Sequence, residues 1–124
     1  MSYQFDVTRP IYLQIMEEIK MRSVKGMYIP GNKLPSVRDL AKELAVNPNT
    51  ISRAYMELER EEFLFVKRGQ GSFLTKKQER INQERENLAG LAVSQFIDTV
   101  KSLELKPLQV QNLFDKLKGE LNVC

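Results

Sequence analysis

The chain has no histidine and no tryptophan, and its 124 residues include one cysteine, Cys124, at the last position. Without histidine it lacks the commonest general base and the commonest metal ligand. A single thiol would leave a zinc site to carboxylates, a poor set of ligands for that ion. No catalytic residue, metal or cofactor is therefore expected, and an enzyme is the least favoured reading. One cysteine also excludes an intrachain disulfide, which suits a reducing compartment; at Cys124 only an incidental bond between chains is open. No apolar run approaches the roughly 18 residues of a membrane span. Met1–Asp6 has no basic stretch leading into an apolar core, so it does not read as a signal peptide. The expectation is a cytoplasmic protein with no membrane partner. There is no internal repeat and no low-complexity tract.

What is present fits one ordinary domain, or a small domain with an appendage. Apolar residues make up 42% and charged residues 28%, with a mean hydropathy of −0.38, as in a globular protein. The net charge of +3 is unevenly spread. Residues 1–77 hold 13 Lys/Arg against 9 Asp/Glu, whereas residues 78–124 hold 6 against 7. The positive excess lies in the first part, where ordinary solubility and a polyanionic partner are both open explanations.

The pattern along the chain begins with a helix opened by Thr8-Arg9-Pro10, with Thr8 or Arg9 as its cap and Pro10 in the first turn. Tyr12, Ile15, Met16, Ile19 and Ser23 recur at helical spacing, and Gly26 is a stop signal. Ile29-Pro30-Gly31 has the residue order of a type II turn, and Lys33-Leu34 is long enough only for a very short strand. Ser36 caps a second helix, with Asp39 three residues on and Leu40, Ala41 and Leu44 as its buried stripe. Ala45-Val46 make a tight break. Asn47 then caps a third helix with Pro48 in its first position, and Ile51, Ala54, Tyr55 and Leu58, with Glu62 at the end, mark one face. Phe63–Val66 and Ser72–Leu74 read as strands joined by Arg68-Gly69-Gln70-Gly71. Three helices followed by a hairpin make a winged helix-turn-helix, which lays one helix across a duplex backbone and aims the next into the major groove.

From Lys76 to Glu86 the composition turns strongly charged, and Lys76, Lys77, Arg80 and Arg85 read as a solvated face. Two amphipathic helices follow. One starts near Gln78 and carries Leu88, Ala89, Ala92, Val93, Phe96, Val100 and Leu103. The other starts at Pro107, after the poor cap Lys106, and carries Val110, Leu113, Phe114, Leu117 and Leu121. Two helices cannot cover both stripes by themselves, so a second copy of the chain is the natural partner. The division expected is a DNA-binding domain over residues 1–77 and a two-helix dimerisation region over residues 78–124. The fold class is mainly α with a small β wing.

These residues resemble the GntR family of bacterial transcription regulators, in particular the short subfamily typified by YtrA. The resemblance covers residues 5–75 closely. It rests on Pro10-Ile11-Tyr12-x-Gln14-Ile15, Pro30-Gly31-x-Lys33-Leu34-Pro35-Ser36-x-Arg38, Asn47-Pro48-Asn49-Thr50-Ile51, Arg53-Ala54-Tyr55-x-x-Leu58-Glu59 and Arg68-Gly69-x-Gly71-Ser72-Phe73. Over residues 78–124 it rests on length and helical character alone. It implies a winged helix-turn-helix with a dimerising tail. The aminotransferase-like domain of a related group in the family is not expected, given where this chain stops. The family's DNA contacts fall on Arg38, Asn47, Asn49, Thr50, Arg68 and Gly69. Arginines that some members carry at two further positions are Pro48 and Ser52 here, so those contacts do not transfer. Many relatives have glycine where this chain has Glu62, so either the third helix runs on or Glu62 is strained.

Each site residue has a plainer role to set against this one. Asn47-Pro48-Asn49-Thr50 makes a good cap whatever it touches. Yet Asn49 and Thr50 leave a helix N-terminus, where the dipole favours phosphate, and they match adenine and the thymine methyl. Arg38 stands on the helix that crosses the backbone. Arg53 either contacts DNA or pairs with Glu57 one turn on. Arg68, Gly69 and Gln70 form a small basic tip suited to a minor groove or a phosphate. The expected function is a sequence-specific transcription regulator, a repressor that binds an inverted repeat in double-stranded DNA as a homodimer. A protein-docking module is the competing class, since winged helices also serve that role; it predicts no steep salt dependence. The sequence names no operator, target gene or small-molecule effector.

Overall fold

The computed structural model describes residues 3–122; Cys124 lies outside them. Its elements are α1 (Ile11–Val24), α2 (Val37–Leu44), α3 (Pro48–Arg60), β1 (Leu64–Lys67), β2 (Gly71–Leu74), α4 (Gln78–Ser102) and α5 (Pro107–Leu121). The chain divides into two compact units, one through Asn87 and one from Leu88.

In the first unit α1, α2 and α3 enclose a core of Ile15, Ile19, Leu40, Leu44, Ile51 and Leu58, which Phe63 and Leu74 extend under the hairpin. Burying such side chains is the main driving force for the fold, about 1.5–3 kcal/mol each. Tyr55 is buried with them, and its hydroxyl donates to the Pro35 carbonyl at 2.6 Å, tying α3 to the entry of α2. Burial pushes the pKa of this phenol up, so it stays a neutral donor.

The helix ends follow from local chemistry. Ser36 Oγ accepts from the Asp39 N–H at 3.1 Å, and Asn47 Oδ1 accepts from the Asn49 N–H at 2.8 Å. The start of α1 differs from expectation: Pro10, not Thr8 or Arg9, is the cap residue, and it offers no side-chain cap. Thr8 is instead held by Asp6, through N–H and hydroxyl bonds to Oδ1 of 2.9 and 2.6 Å. The buried Gln14 reaches back from the helix, accepting from the Asp6 N–H at 2.8 Å and donating to the Asp6 and Arg9 carbonyls.

Between α2 and α3, Ala45 adopts a left-handed conformation (φ 56°, ψ 48°), and this one residue makes the sharp turn of the helix pair. α3 ends at Arg60 rather than running on. Glu62 has φ 61°, and the Phe63 N–H reaches the Leu58 carbonyl at 2.9 Å while the Glu62 N–H reaches that of Glu59 at 2.9 Å. This is the Schellman closure, with glutamate where glycine costs least.

β1 and β2 pair antiparallel, Phe65 opposite Phe73 and Lys67 opposite Gly71. The segment after α1 turns at Gly31 (φ 84°), with Asn32 N–H bonded to the Ile29 carbonyl at 2.9 Å, a type II turn. It then runs along the free edge of β2. The Leu34 N–H meets the Ser72 carbonyl at 2.8 Å, and Lys33 bridges to Phe73.

The first turns of α4 belong to this unit, which therefore continues ten residues past position 77. Ile81 and Glu84 are buried. Arg80 is not on a solvated face as expected. It pairs with Glu84 at 3.0 Å and lies over the Phe63 ring at 5.2 Å. Arg85 donates to the Val24 carbonyl at 3.0 Å. In the second unit the apolar side chains of α4 and α5 face outward: Leu91, Val93, Phe96, Ile97, Val110, Leu113, Phe114 and Leu117 are 36–60% exposed. α5 opens with the Lys106 N–H bonded to Gln109 Oε1 at 2.8 Å, a substitute for a side-chain cap.

Candidate nucleic-acid interface

The residues singled out from sequence lie on three pieces of the first unit. Arg38 is the second residue of α2. Asn47, Asn49, Thr50 and Arg53 lie at the cap and in the first half of α3. Arg68, Gly69 and Gln70 form the tip between β1 and β2. All are exposed except Thr50, which is half-buried.

Their roles separate on inspection. Asn47 spends its side-chain oxygen on the cap of α3, so only its amide nitrogen is left to donate outward. Asn49 and Thr50 follow the cap and carry no side-chain hydrogen bond among the described residues. The α3 cap turns their side chains out at the positive end of the helix dipole. The wing tip is closed by the Gln70 N–H on the Lys67 carbonyl at 2.8 Å. Gly69, at φ 79° with open space around it, supplies the left-handed step that lets the backbone approach a ligand closely.

Arg53 has lost its expected alternative. Glu57 pairs with Arg60 at 3.0 Å, and the Arg53 guanidinium instead lies over the Tyr12 ring, 3.8 Å from its centre. Arg38 and Lys42, one turn apart on α2, line a shallow hollow with Val46 and Pro48 of the turn. Lys67 was not singled out from sequence. Its ammonium lies 4.6 Å from the centre of the Phe73 ring, which itself stacks on Phe65. Its signal was present as a strand residue next to Arg68. Lys42 was likewise readable as the i+4 neighbour of Arg38.

Among the described residues ion pairing divides the cations of the chain into two groups, and these fall in the group without a carboxylate partner, as do Lys25, Lys33, Lys76, Lys77 and Arg85. Arg9, Lys20, Arg22, Arg60 and Arg80 are each paired with a carboxylate. Among the described residues Arg38, Lys42, Arg53, Lys67 and Arg68 have no carboxylate partner. Unpaired cations beside a helix N-terminus and a glycine-containing tip form a surface suited to a polyanion. The described residues include no helix long and apolar enough to cross a membrane.

Comparison with known proteins points the same way. Residues 11–74 match the family described as bacterial regulatory proteins, gntR family. The chain is 42% identical over 105 residues to the uncharacterized HTH-type transcriptional regulator YhcF of Bacillus subtilis, covering 85% of this chain and 87% of that one. It is 50% identical over 66 residues to the HTH-type transcriptional repressor YtrA of the same organism, spanning 53% of this chain and 51% of YtrA. A solved GntR family transcriptional regulator from Listeria monocytogenes superimposes with a TM-score of 0.80 at 40% identity, over 90% of this chain and 98% of that one. The DNA-binding domain of AraR, solved in complex with operator ORX1, superimposes with a TM-score of 0.52 at 26% identity, over 60% of this chain and 92% of that one.

Proposed function

The chain belongs to the GntR family of bacterial regulatory proteins, DNA-binding transcription regulators rather than enzymes, and we propose that it acts as a cytoplasmic, homodimeric repressor reading an inverted-repeat operator. The observation that carries this reading is the set of unpaired cations, Arg38, Arg53 and Arg68, on the same unit as the exposed Asn49 and the half-buried Thr50 at the start of α3. Asn49 offers the paired donor and acceptor that match adenine, and Thr50 offers a methyl and a hydroxyl. Arg38 meets the backbone beside them. Arg68, Gly69 and Gln70 take a neighbouring phosphate or minor groove, and the Asn47 amide adds a contact at the helix start.

The dimer follows from the second unit. Exposed apolar side chains spread along two helices exceed what an isolated chain leaves in water, and a second copy covers them with matching surface. Two recognition helices related by a two-fold axis read two half-sites of opposite sense. Repression is supported by the name of the relative YtrA and by the simple physical effect of occupying a promoter.

The test is titration of the purified protein against duplex DNA from upstream of its own gene. Arg38→Ala and Asn49→Ala are each expected to lose about 1–3 kcal/mol on the specific duplex, with unchanged melting temperature. Both variants binding as tightly as wild type would remove the site assignment.

A further inference from the structure

We propose that Tyr12 is a positioning residue that holds Arg53 as a clamp for one backbone phosphate of the bound DNA, at the hollow where the start of α1 meets α3. The inference rests on the DNA-binding reading above and adds to it a residue outside the helix-turn-helix pair. The hollow, about 380 Å³, is lined by Pro10, Ile11, Tyr12, Asn49, Thr50 and Arg53. It contains one cation and no carboxylate, so it accepts an anion. The larger groove, about 730 Å³, sets Glu59, Glu62 and Glu79 against Lys77 and Arg80, so it has no excess of positive charge to draw one in.

The stack explains why Arg53 is suited to this task. Its guanidinium uses its face against the Tyr12 ring at 3.8 Å. The N–H groups lie in the plane of the fork and bond to no acceptor among the described residues. A phosphate accepts from such a fork bidentately. A long side chain already held in place also loses less rotamer freedom when the anion arrives. The stack is not needed to join α1 to α3, because Ile15, Ile19, Ile51 and Leu58 already form a buried core between them and Arg53 is exposed. Asn49 and Thr50 share the hollow, so a phosphate held there adds affinity beside the residues assigned to the bases without itself reading sequence.

The experiment measures affinity by fluorescence anisotropy over a salt series, on the upstream duplex and on a scrambled duplex of equal length. Arg53→Ala is expected to weaken binding about tenfold on both and to flatten the log–log salt slope by about one per bound protomer. Tyr12→Phe, which keeps the ring, should match wild type. Tyr12→Leu should reproduce Arg53→Ala, and the double variant Tyr12→Leu/Arg53→Ala should be no weaker than Arg53→Ala alone. A wild-type salt slope for Arg53→Ala, or multiplying losses in the double variant, would overturn the clamp while leaving the regulator intact. Wild-type protein that bound neither duplex would overturn both. Should Tyr12→Leu prove unstable in a melt, Tyr12→Met, which also lacks the ring, takes its place with the same expected loss, and a wild-type affinity and salt slope for it would overturn the clamp.

Discussion

At the scale of single residues, Glu62 shows most plainly how a local rule is broken at a cost. A side chain bearing a Cβ at φ 61° is strained by about 1–2 kcal/mol. The Schellman bonds and the burial of Phe63 hold it there. Replacing Glu62 by glycine removes the strain and adds chain entropy to the unfolded state. The net expectation is a gain of about 0.5–1 kcal/mol, seen as a melting temperature a few degrees higher. An equal or lower melting temperature would show that the conformation is not strained. The sequence had left open whether the helix ran on or Glu62 was strained, and burial of Phe63 closes the helix. Arg53 was undetermined for a different reason. Its stacking partner lies 41 positions earlier, and helix periodicity carries no signal for a partner on another element.

At the scale of elements, legibility tracked locality. The caps at Ser36 and Asn47, the Pro48 start, the type II turn at Gly31 and the paired strands follow from neighbouring residues, and all were readable. The start of α4 at Gln78 was readable too, but the burial of its first turns was not. Lys76–Glu86 looks solvated because its charges are offset by residues distant in sequence. Lys20 of α1 pairs with Glu84 at 3.1 Å and with Glu61 at 2.8 Å, and Arg80 joins the same two carboxylates. Burial pushes the Glu84 carboxyl up, but the Arg80 hydrogen bond and the Lys20 charge outweigh it and hold it below its ordinary value. A depressed folded pKa gives stability that is fully present above the unfolded value, near 4.3, and is lost as pH falls through the folded one. Glu84→Gln should therefore cost about 1–3 kcal/mol at pH 7. The gap from wild type should stay constant down to about pH 5 and close at lower pH. Denaturant melts at several pH values measure it, and a gap independent of pH would contradict the assignment.

At the scale of the whole molecule, the second unit carries the exposed apolar stripes that the proposed dimer would cover. Its apolar stripes were legible from the three-and-four spacing, whereas helical spacing carries no information about what packs on them. Phe96→Asp with Phe114→Asp places charge on both stripes, at positions 49% and 51% exposed in the single chain. The wild type should sediment at about twice 14.4 kDa. The double variant should sediment as one chain and bind an inverted repeat about 10²-fold or more weakly, because the second head is no longer tethered. A wild type that remains a single chain at micromolar concentration would leave the stripes to some other occupant.

The central claim is that the exposed start of α3, flanked by unpaired arginines, reads base edges in duplex DNA. Selection of bound fragments from a random duplex library by the purified protein tests it most directly. The prediction is enrichment of one inverted repeat whose half-site preference changes when Asn49 is replaced by alanine, while Arg53→Ala weakens binding and leaves that preference alone. A library that returns unenriched at low salt, or a preference indifferent to Asn49, would contradict it.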